Sequence, residues 1–213
     1  MPHIAELDCW YASTEQDARK KGQDVVAKFG RHIRAPVIDL GCGEGAALLG
    51  LRDAGHTDLL GVELNEELAG LAEKWGAPVV RSDLRAYIRQ PLRAATYLYL
   101  DVIEHIPFDL NVEVLNALPS GSRIIIQTPY TESIRGHQFY FNVPSHVAPY
   151  SPWVLRRMLT RAGYKVIAEG DSEGTHPDRW TAPLRRWFFR RVLAIPPDLV
   201  YGGGNWWVVA DKG

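Results

Sequence analysis

The sequence predicts an α/β fold built on a doubly wound, mainly parallel sheet of seven strands. Short apolar runs bounded by turn residues recur along the chain, which is typical of strands buried on both faces of a sheet. Segments with the apolar spacing of helices lie between most of these runs. Strands that alternate with helices form parallel sheets covered by helices on both faces.

The individual elements follow in chain order. A polar segment with helical spacing over 14–34 predicts the first helix, Gly55 is suited to end the second, and Asn65 is suited to cap the third. Later helices are expected around residues 110–118 and in SPWVLRRMLTRAGY. The strands are expected in the segments APVIDL, DLLGVEL, PVVRSDL, ATYLYLD, GSRIIIQTP, KVIAEG and NWWVVADKG.

The composition is that of an ordinary globular protein. The 213 residues, 46% of them hydrophobic and 23% charged, are enough for one domain with a full core. The formal net charge is −1 and the pI about 6.7, so no overall charge attracts nucleic acid or an acidic membrane. Cys9 and Cys42 are too few for a disulfide framework, and the sequence shows neither a secretory signal pattern nor a membrane-spanning apolar run. We therefore expect a cytoplasmic protein.

A single domain is predicted to span residues 1–213. The segment 171–204 interrupts the alternation of strands and helices, and we interpret it as an insertion between the last two strands. Within it, 184–195 carries apolar residues at helical spacing with arginines between them. Two interpretations stay open: a basic amphipathic helix that makes peripheral contact with a membrane or an anionic acceptor, or a helix packed on the domain.

A glycine-rich turn follows the first predicted strand. Gly41, Gly43 and Gly45 allow close approach of backbone to a ligand, but their G-x-G-x-G spacing is not that of a dinucleotide site. Asp39 precedes the turn and Glu44 lies inside it. Carboxylates there would repel a pyrophosphate and favour a cationic ligand.

Two more acids end the next strands. Glu63 closes the second strand, where a carboxylate can accept hydrogen bonds from ribose hydroxyls, and Asp83 closes the third, where it could accept from an adenine amino group. The alternative is that each acid is simply exposed to solvent at a strand end. Their recurrence at successive ligand-side positions favours a binding site.

The ordered motifs VIDLGCGEG, GVEL, SDL, YLYLDVIEHI and GSRIIIQTP resemble those of the class I S-adenosylmethionine-dependent methyltransferases over residues 35–168. The resemblance implies a Rossmann-like methyltransferase fold and S-adenosylmethionine as the cofactor. Trp10 and Tyr11 could close over this cofactor, or serve only in packing. The cofactor contacts that the resemblance implies are Tyr11, Asp39, Gly41, Gly43, Glu63, Leu64, Asp83, Leu84 and Asp101.

The fourth strand ends in DVIEHI, which supplies candidate catalytic residues. In one interpretation His105 or His146 is the general base and Asp101 or Glu104 orients it. In another, less favoured, Asp101, Glu104, His105 and His146 bind a divalent metal, since the motif resembles the E-x-x-E-H arrangement of small-RNA 3′-end ribose methyltransferases and ubiquinone-biosynthesis O-methyltransferases. In a third, Glu104 and His105 only cap the next helix.

The loop FNVPSHVAPYSP holds His146 among prolines, which restrict the backbone. With the helix after it, this loop resembles a segment of methyltransferases from bacterial polysaccharide gene clusters. We therefore expect an O-methyltransferase acting on a small-molecule or glycan acceptor, with a sugar or glycoconjugate favoured over a quinone-like or natural-product metabolite. A cofactor-binding regulator without activity is the alternative of a different class. An RNA ribose methyltransferase is disfavoured because the chain lacks the positive charge that RNA binding requires.

Overall fold

A computed structural model describes residues 11–12, 14–172, 187, 191 and 203–213. Seven strands form one sheet in the order β3-β2-β1-β4-β5-β7-β6, which confirms the predicted fold class. The strands are β1 (Val37–Leu40), β2 (Leu59–Glu63), β3 (Val79–Arg81), β4 (Thr96–Leu100), β5 (Arg123–Pro129), β6 (Tyr164–Asp171) and β7 (Asn205–Lys212). The helices are α1 (Glu15–Phe29), α2 (Ala46–Asp53), α3 (Glu66–Lys74), α4 (Leu84–Tyr87), α5 (Phe108–Ala117), α6 (Ile134–Phe141) and α7 (Pro152–Arg161).

The strand order identifies the edge of the sheet where a ligand is expected to bind. Strands β1 to β5 run parallel, while β7 is antiparallel to both β5 and β6. The order reverses between β1 and β4, and open α/β sheets bind ligands at the carboxyl ends of the strands beside such a reversal. The turns after β1, β2 and β4 therefore meet at one edge of the sheet.

The core lies on both faces of the sheet. In β4, Tyr97 and Tyr99 pack into the apolar cluster on one face and Leu98 into the cluster on the other, and all three side chains are inaccessible to solvent. Alternation of side chains along a strand sends neighbours to opposite faces. The central strands are therefore fixed from both sides, which gives their carboxyl ends a rigid base.

Helix α1 packs directly against α2 through glycine. A Cβ atom built on Gly22 would lie 2.2 Å from the Ala46 carbonyl oxygen and 2.7 Å from the Gly50 nitrogen. The backbones of the two helices are thus in contact, which only residues without a side chain allow. This contact holds α1 beside the glycine-rich turn that precedes α2.

Three elements differ from the sequence-based expectation, one of which is the short helix α4 (Leu84–Tyr87), where no helix was predicted. The first helix ends at Phe29 and continues as a 3₁₀ turn over Gly30–His32, so it is shorter than the predicted 14–34. Helix α6 falls in a stretch for which no helix was predicted. It is short, begins at a Ser133 cap and contains Gly136, so it carries little of the apolar periodicity that identifies a helix.

The predicted insertion over 171–204 lies largely outside the described residues, as does most of the amphipathic segment 184–195, so both stay predictions. Strand β6 ends at Asp171 and β7 begins at Asn205. Within the part of the chain that the structure describes, no helix is long and apolar enough to cross a bilayer. The cytoplasmic location stays an expectation.

Candidate active site

The glycine-rich turn adopts backbone conformations that favour glycine. Gly41, Gly43 and Gly45 have φ angles of 75°, 54° and 80°. A Cβ atom on Gly41 would lie 2.7 Å from Cγ2 of Val102, the residue after β4 that follows Asp101. The turn therefore approaches the end of β4 closely, and side chains larger than hydrogen would force the two apart.

Glu63 at the end of β2 organises this turn. Its Oε2 accepts a hydrogen bond of 2.8 Å from the Gly43 amide, and its Oε1 accepts one of 2.8 Å from the Asn65 amide. Asn65 in turn caps α3, as predicted, by accepting from the amides of Glu67 and Leu68. A carboxylate has about four lone-pair positions, so these two bonds leave Glu63 able to accept from a ligand as well.

Asp39 is the buried acid of the site. Its side chain is enclosed at the end of β1, and burial, with further repulsion from Glu63 and Glu44, raises its pKa from 3.8 to about 7. A cationic ligand placed against these three carboxyl groups would lower that pKa again, because opposite charge favours the ionised form. Asp39 therefore suits a ligand that carries positive charge.

Glu44 is already engaged by the N-terminal segment. Its Oε1 accepts a 2.8 Å hydrogen bond from the Ala12 amide and lies 3.2 Å from the Lys21 ammonium. The sequence suggested that Glu44 faces a ligand. These contacts direct its carboxylate toward α1. Tyr11, one residue earlier, lies against the turn, since a Cβ atom on Gly43 would be 3.4 Å from its ring.

The remaining predicted cofactor contacts lie where β2 and β3 end. Leu64 is 69% exposed, as expected for a residue that a bound ligand could cover. Asp83 is exposed and caps α4 by accepting a 2.9 Å hydrogen bond from the Ala86 amide, which occupies one of its two oxygens. Leu84 is buried in the core beneath it.

Asp101 leaves β4 in a left-handed conformation, with φ of 54°. Its two carboxylate oxygens accept hydrogen bonds of 2.6 Å from Gln127 Nε2 and 3.1 Å from Asn205 Nδ2. The carbonyl oxygen Oε1 of the Gln127 side-chain amide accepts in turn from the Lys28 ammonium on α1. Non-glycine residues in this region cost roughly 1–3 kcal/mol and concentrate at functional sites.

Burial changes the titration of this network. The side chain of Asp101 is open to solvent on one side, but the surrounding protein removes enough water to raise its pKa, against the opposing effect of the Gln127 hydrogen bond. Burial likewise lowers the pKa of the half-buried Lys28, which the charge of Asp101 opposes. Asp101 and Lys28 therefore stabilise each other's charged forms, with the Gln127 amide between them.

Glu104 lies deeper at the end of β4, in a 3₁₀ turn over Ile103–His105. Its side chain is 1% exposed and accepts a 3.0 Å hydrogen bond from the Thr128 hydroxyl on β5. Burial, with repulsion from Asp101, raises its pKa well above the ordinary value. A nearby positive charge would stabilise the ionised form of such a buried carboxyl and lower its pKa.

The two candidate histidines meet beside Glu104. The ring centroids of His105 and His146 are 4.6 Å apart, and His146 Nε2 lies 4.0 Å from Glu104 Oε1. His146 Nδ1 is 2.7 Å from the Tyr140 carbonyl oxygen, so this nitrogen carries the proton in the neutral ring. The ring also stacks on Tyr140, with centroids 5.0 Å apart.

These three side chains could hold a divalent metal. One ligand atom from each of Glu104, His105 and His146 lies within 4.8 Å of the others. One carboxylate and two imidazoles are a donor set that suits several transition metals. Asp101, the fourth member of the predicted metal set, is not in this group, because Gln127 and Asn205 hold its carboxylate.

Several residues of the site were absent from the sequence-based prediction. Thr128, Gln127 and Asn205 meet the predicted acids from distant parts of the chain, and Tyr140 contributes only a backbone carbonyl. The positions of Gln127 and Thr128 near the end of β5 were the available signal, because polar residues at the carboxyl end of a central strand face the ligand side.

A doubly wound sheet with a glycine turn, strand-end carboxylates and a histidine pair at one edge defines an enzyme that binds a cationic, nucleoside-type cofactor. The family model for the methyltransferase domain matches residues 14–169. The chain therefore belongs to the methyltransferase domain family. This membership confirms the predicted enzyme class and, with the fold, S-adenosylmethionine as its cofactor.

Solved structures share the fold at low sequence identity. An S-adenosylmethionine-dependent methyltransferase from Archaeoglobus fulgidus is 19% identical, with a TM-score of 0.72 over 91% of this chain and 94% of its own. The magnesium protoporphyrin IX methyltransferase from Synechocystis is 16% identical, with a TM-score of 0.59 over 99% of this chain and 88% of its own. The plantazolicin methyltransferase is 15% identical, with a TM-score of 0.59 over 98% and 89%. No curated protein sequence matches the chain at a significant level.

Proposed function

We propose that the protein transfers the methyl group of S-adenosylmethionine to a hydroxyl of an acceptor molecule. The observation that carries this proposal is the cluster of Glu104, His105 and His146 at the carboxyl edge of the sheet, beside the end of β4 that the glycine turn approaches. An alcohol is a poor nucleophile at neutral pH, so its methylation is helped by a group that removes the proton. A histidine pair next to a buried carboxyl can do so.

The cofactor is assigned to the acids around the glycine turn. In this proposal Glu63 accepts hydrogen bonds from the ribose hydroxyls, and Asp83 accepts from the adenine amino group with its second oxygen. Asp39 and Asp101 supply negative charge for the ammonium and sulfonium groups. Gly41, Gly43, Tyr11, Leu64 and Leu84 complete the surface against which the nucleoside and methionine parts lie.

His105 is assigned as the group that meets the acceptor. The His146 side chain is only 6% exposed, so it lies behind the surface that an acceptor would reach. The acceptor oxygen attacks the methyl carbon as the sulfur–carbon bond breaks, the electron pair returns to sulfur, and the proton of the hydroxyl passes to the imidazole of His105. His146 and Glu104 stabilise the positive charge that the imidazole gains.

A metal-assisted transfer is the second candidate, favoured by the close approach of the three ligand atoms. Glu104, His105 and His146 would then hold a divalent cation, which lowers the pKa of a bound hydroxyl. The Thr128 hydroxyl would orient the carboxylate, and the Tyr140 carbonyl would orient the His146 ring through Nδ1. In that case the histidines serve as ligands and neither accepts the proton.

The favoured acceptor is a sugar or glycoconjugate. The loop that holds His146 resembles loops of polysaccharide-cluster methyltransferases, which supports O-methylation more strongly than it supports a sugar acceptor. A small biosynthetic metabolite is the second acceptor class. The near-neutral charge of the chain argues against RNA.

Isotope transfer tests the proposal. The protein is incubated with methyl-labelled S-adenosylmethionine and three acceptors: a methyl hexoside, a catechol and a short RNA. Label on the hexoside oxygen supports the proposal as stated, and label on the catechol moves the acceptor to the metabolite class. If the protein binds the cofactor in calorimetry but labels no acceptor, the interpretation as a non-catalytic regulator gains support.

A further inference from the structure

Asn111 on α5 is a fully buried polar residue to which the proposed chemistry gives no role. Its Oδ1 accepts a 2.6 Å hydrogen bond from the Tyr99 hydroxyl on β4. Its Nδ2 lies within 2.8–3.0 Å of three oxygens: the carbonyls of Ile103 and Ile106 and the hydroxyl of Tyr150. An amide nitrogen has two hydrogens, so it donates to two of these oxygens at a time or shares one hydrogen between two of them.

The two carbonyls belong to the turn that presents the candidate catalytic residues. Ile103 and Ile106 flank Glu104 and His105 on either side. The turn has few bonds of its own, since the His105 amide donates to Val102 at 2.9 Å and the Ile106 amide to Ile103 at 3.3 Å. A turn this short depends on outside contacts for a single conformation, and Asn111 supplies one at each end.

The third oxygen belongs to the loop that carries His146. Tyr150 ends this loop and its side chain is buried against Asn111. The middle of the same loop, just after His146, is tied to the turn as well, because the amides of Val147 and Ala148 donate to the Glu104 carbonyl at 2.8 and 3.1 Å. The turn with His105 and the loop with His146 are therefore joined at two points, one of which is Asn111.

We infer that Asn111 is a positioning residue that sets the separation of His105 from His146. The Asn111 side chain, on helix α5, contacts β4, the turn and the loop. An unpaired buried amide or carbonyl costs roughly 1–3 kcal/mol, so the three segments favour the arrangement that keeps these oxygens within reach of the Asn111 amide. The inference rests on the proposed function only for its effect on rate, because the separation of the rings is a property of the free protein.

Two substitutions test the inference. Asn111→Asp keeps the shape but replaces the donor nitrogen by an oxygen that repels the carbonyls of Ile103 and Ile106. Tyr150→Phe removes only the bond to the loop and is the milder change. Asn116→Asp is the matched control, since Asn116 lies on the same helix, is exposed, and its side-chain amide donates to the Val112 carbonyl of that helix.

Histidine NMR resonances across a pH titration, cofactor affinity by calorimetry and kcat for the best acceptor of the panel are measured for each variant. We expect the His105 and His146 resonances to shift in both test variants, and kcat to fall by about 10- to 100-fold in Asn111→Asp with cofactor affinity changed less than about twofold. The control should match the wild type. Should Asn111→Asp fail to fold, Tyr150→Phe decides by the same measurements.

Two results would overturn the inference. One is histidine resonances and kcat that stay at wild-type values in the folded test variants. The other is a fall in kcat accompanied by a proportional fall in cofactor affinity, which would indicate a general loss of structure. If the wild type methylates no acceptor, the proposed function fails while the histidine resonances still test the role of Asn111.

Discussion

The Gly43 amide donates a 2.8 Å hydrogen bond to Glu63, which links the glycine turn after β1 to the end of β2. Glu63 thus fixes the turn, and in the proposed function its remaining lone pairs accept from the ribose hydroxyls. We expect Glu63→Ala to weaken cofactor binding by about 1.5–3 kcal/mol, the value of a hydrogen bond to a charged group. Calorimetry with S-adenosylmethionine measures the change.

Glu67→Ala is the control for this substitution. Glu67 is exposed in the first turn of α3, four residues along the chain, and its side chain takes no part in the glycine turn. An affinity that is unchanged in both variants would mean that Glu63 does not face the ribose. Binding of NAD in place of S-adenosylmethionine would contradict the cofactor assignment itself.

The raised pKa of Asp39 predicts a pH-dependent affinity. In the free protein this pKa is about 7, so the carboxyl is protonated below neutral pH. A cationic cofactor binds the ionised form better, and binding therefore releases a proton. We expect affinity to fall as pH is lowered from about 8 to about 6, and calorimetry in buffers of different ionisation enthalpy to detect the proton. Asp39→Asn should bind more weakly and with no such dependence in this range.

The same carboxyl affects stability with a defined sign. Between its unfolded pKa of 3.8 and its folded pKa of about 7, the folded state binds more protons than the unfolded state. Stability contributed by this group therefore falls as pH rises through that window and stays low above it. The free energy of unfolding of the wild type relative to Asp39→Asn should decrease from about pH 4 to about pH 7 in denaturant titrations. A constant difference would contradict the burial argument.

The fold could be predicted from local patterns because each strand and cap is encoded by neighbouring residues. Asn65 caps α3 with bonds to residues two and three positions away, which a sequence motif reveals. The glycine turn and Glu63 could be predicted for a related reason, since parallel topology brings the strand ends to one edge of the sheet. Helix α6 was missed because a glycine and a short length obscure its period.

The partners of the site residues could not be predicted in this way. Asp101 bonds to Asn205 across 104 positions, and Ala12 bonds to Glu44 across 32. Such contacts depend on the three-dimensional packing of whole elements, and a polar residue gives no indication of which distant partner satisfies it. Asp101 illustrates the point, because its bonds to Gln127 and Asn205 are visible only once the strands are placed.

The contact between Gly22 and the backbone of α2 predicts a coupling between helix packing and cofactor binding. Gly22→Val would place a Cβ atom 2.2 Å from the Ala46 carbonyl oxygen, so α1 has to move. We expect a loss of about 1–3 kcal/mol in the free energy of unfolding and weaker cofactor binding, because α1 brings Lys21 to Glu44 beside the turn. Gly30→Ala is the control, since its Cβ atom would make an ordinary 3.6 Å contact with Val26.

Chelation separates the two mechanisms at the histidine cluster. If His105 acts as the base, methyl transfer should persist in excess chelator after dialysis, and this is the outcome we expect. If Glu104, His105 and His146 bind a metal, activity should disappear and return on addition of Mg²⁺ or Mn²⁺. Titration of Mn²⁺ into the chelator-treated protein gives an independent measurement, and binding that Glu104→Gln abolishes would assign the cluster to a metal.

The edge-to-face contact of His105 with His146, beside Glu104, predicts unequal effects of removing the two histidines. If His105 meets the acceptor, His105→Ala should lower the rate of methyl transfer by roughly 10²–10⁴-fold, the usual contribution of a general base. His146→Ala should lower it less, because the His146 side chain is only 6% exposed and, in the proposed function, supports His105 rather than meeting the acceptor. Cofactor affinity should change little in either variant, since the proposed cofactor surface consists of the glycine turn and the ends of β1 to β3. A larger loss in His146→Ala would reverse the two roles. If neither variant changes the rate by more than a few-fold, the acceptor needs no base, and a nitrogen, a sulfur or an already acidic oxygen replaces the alcohol.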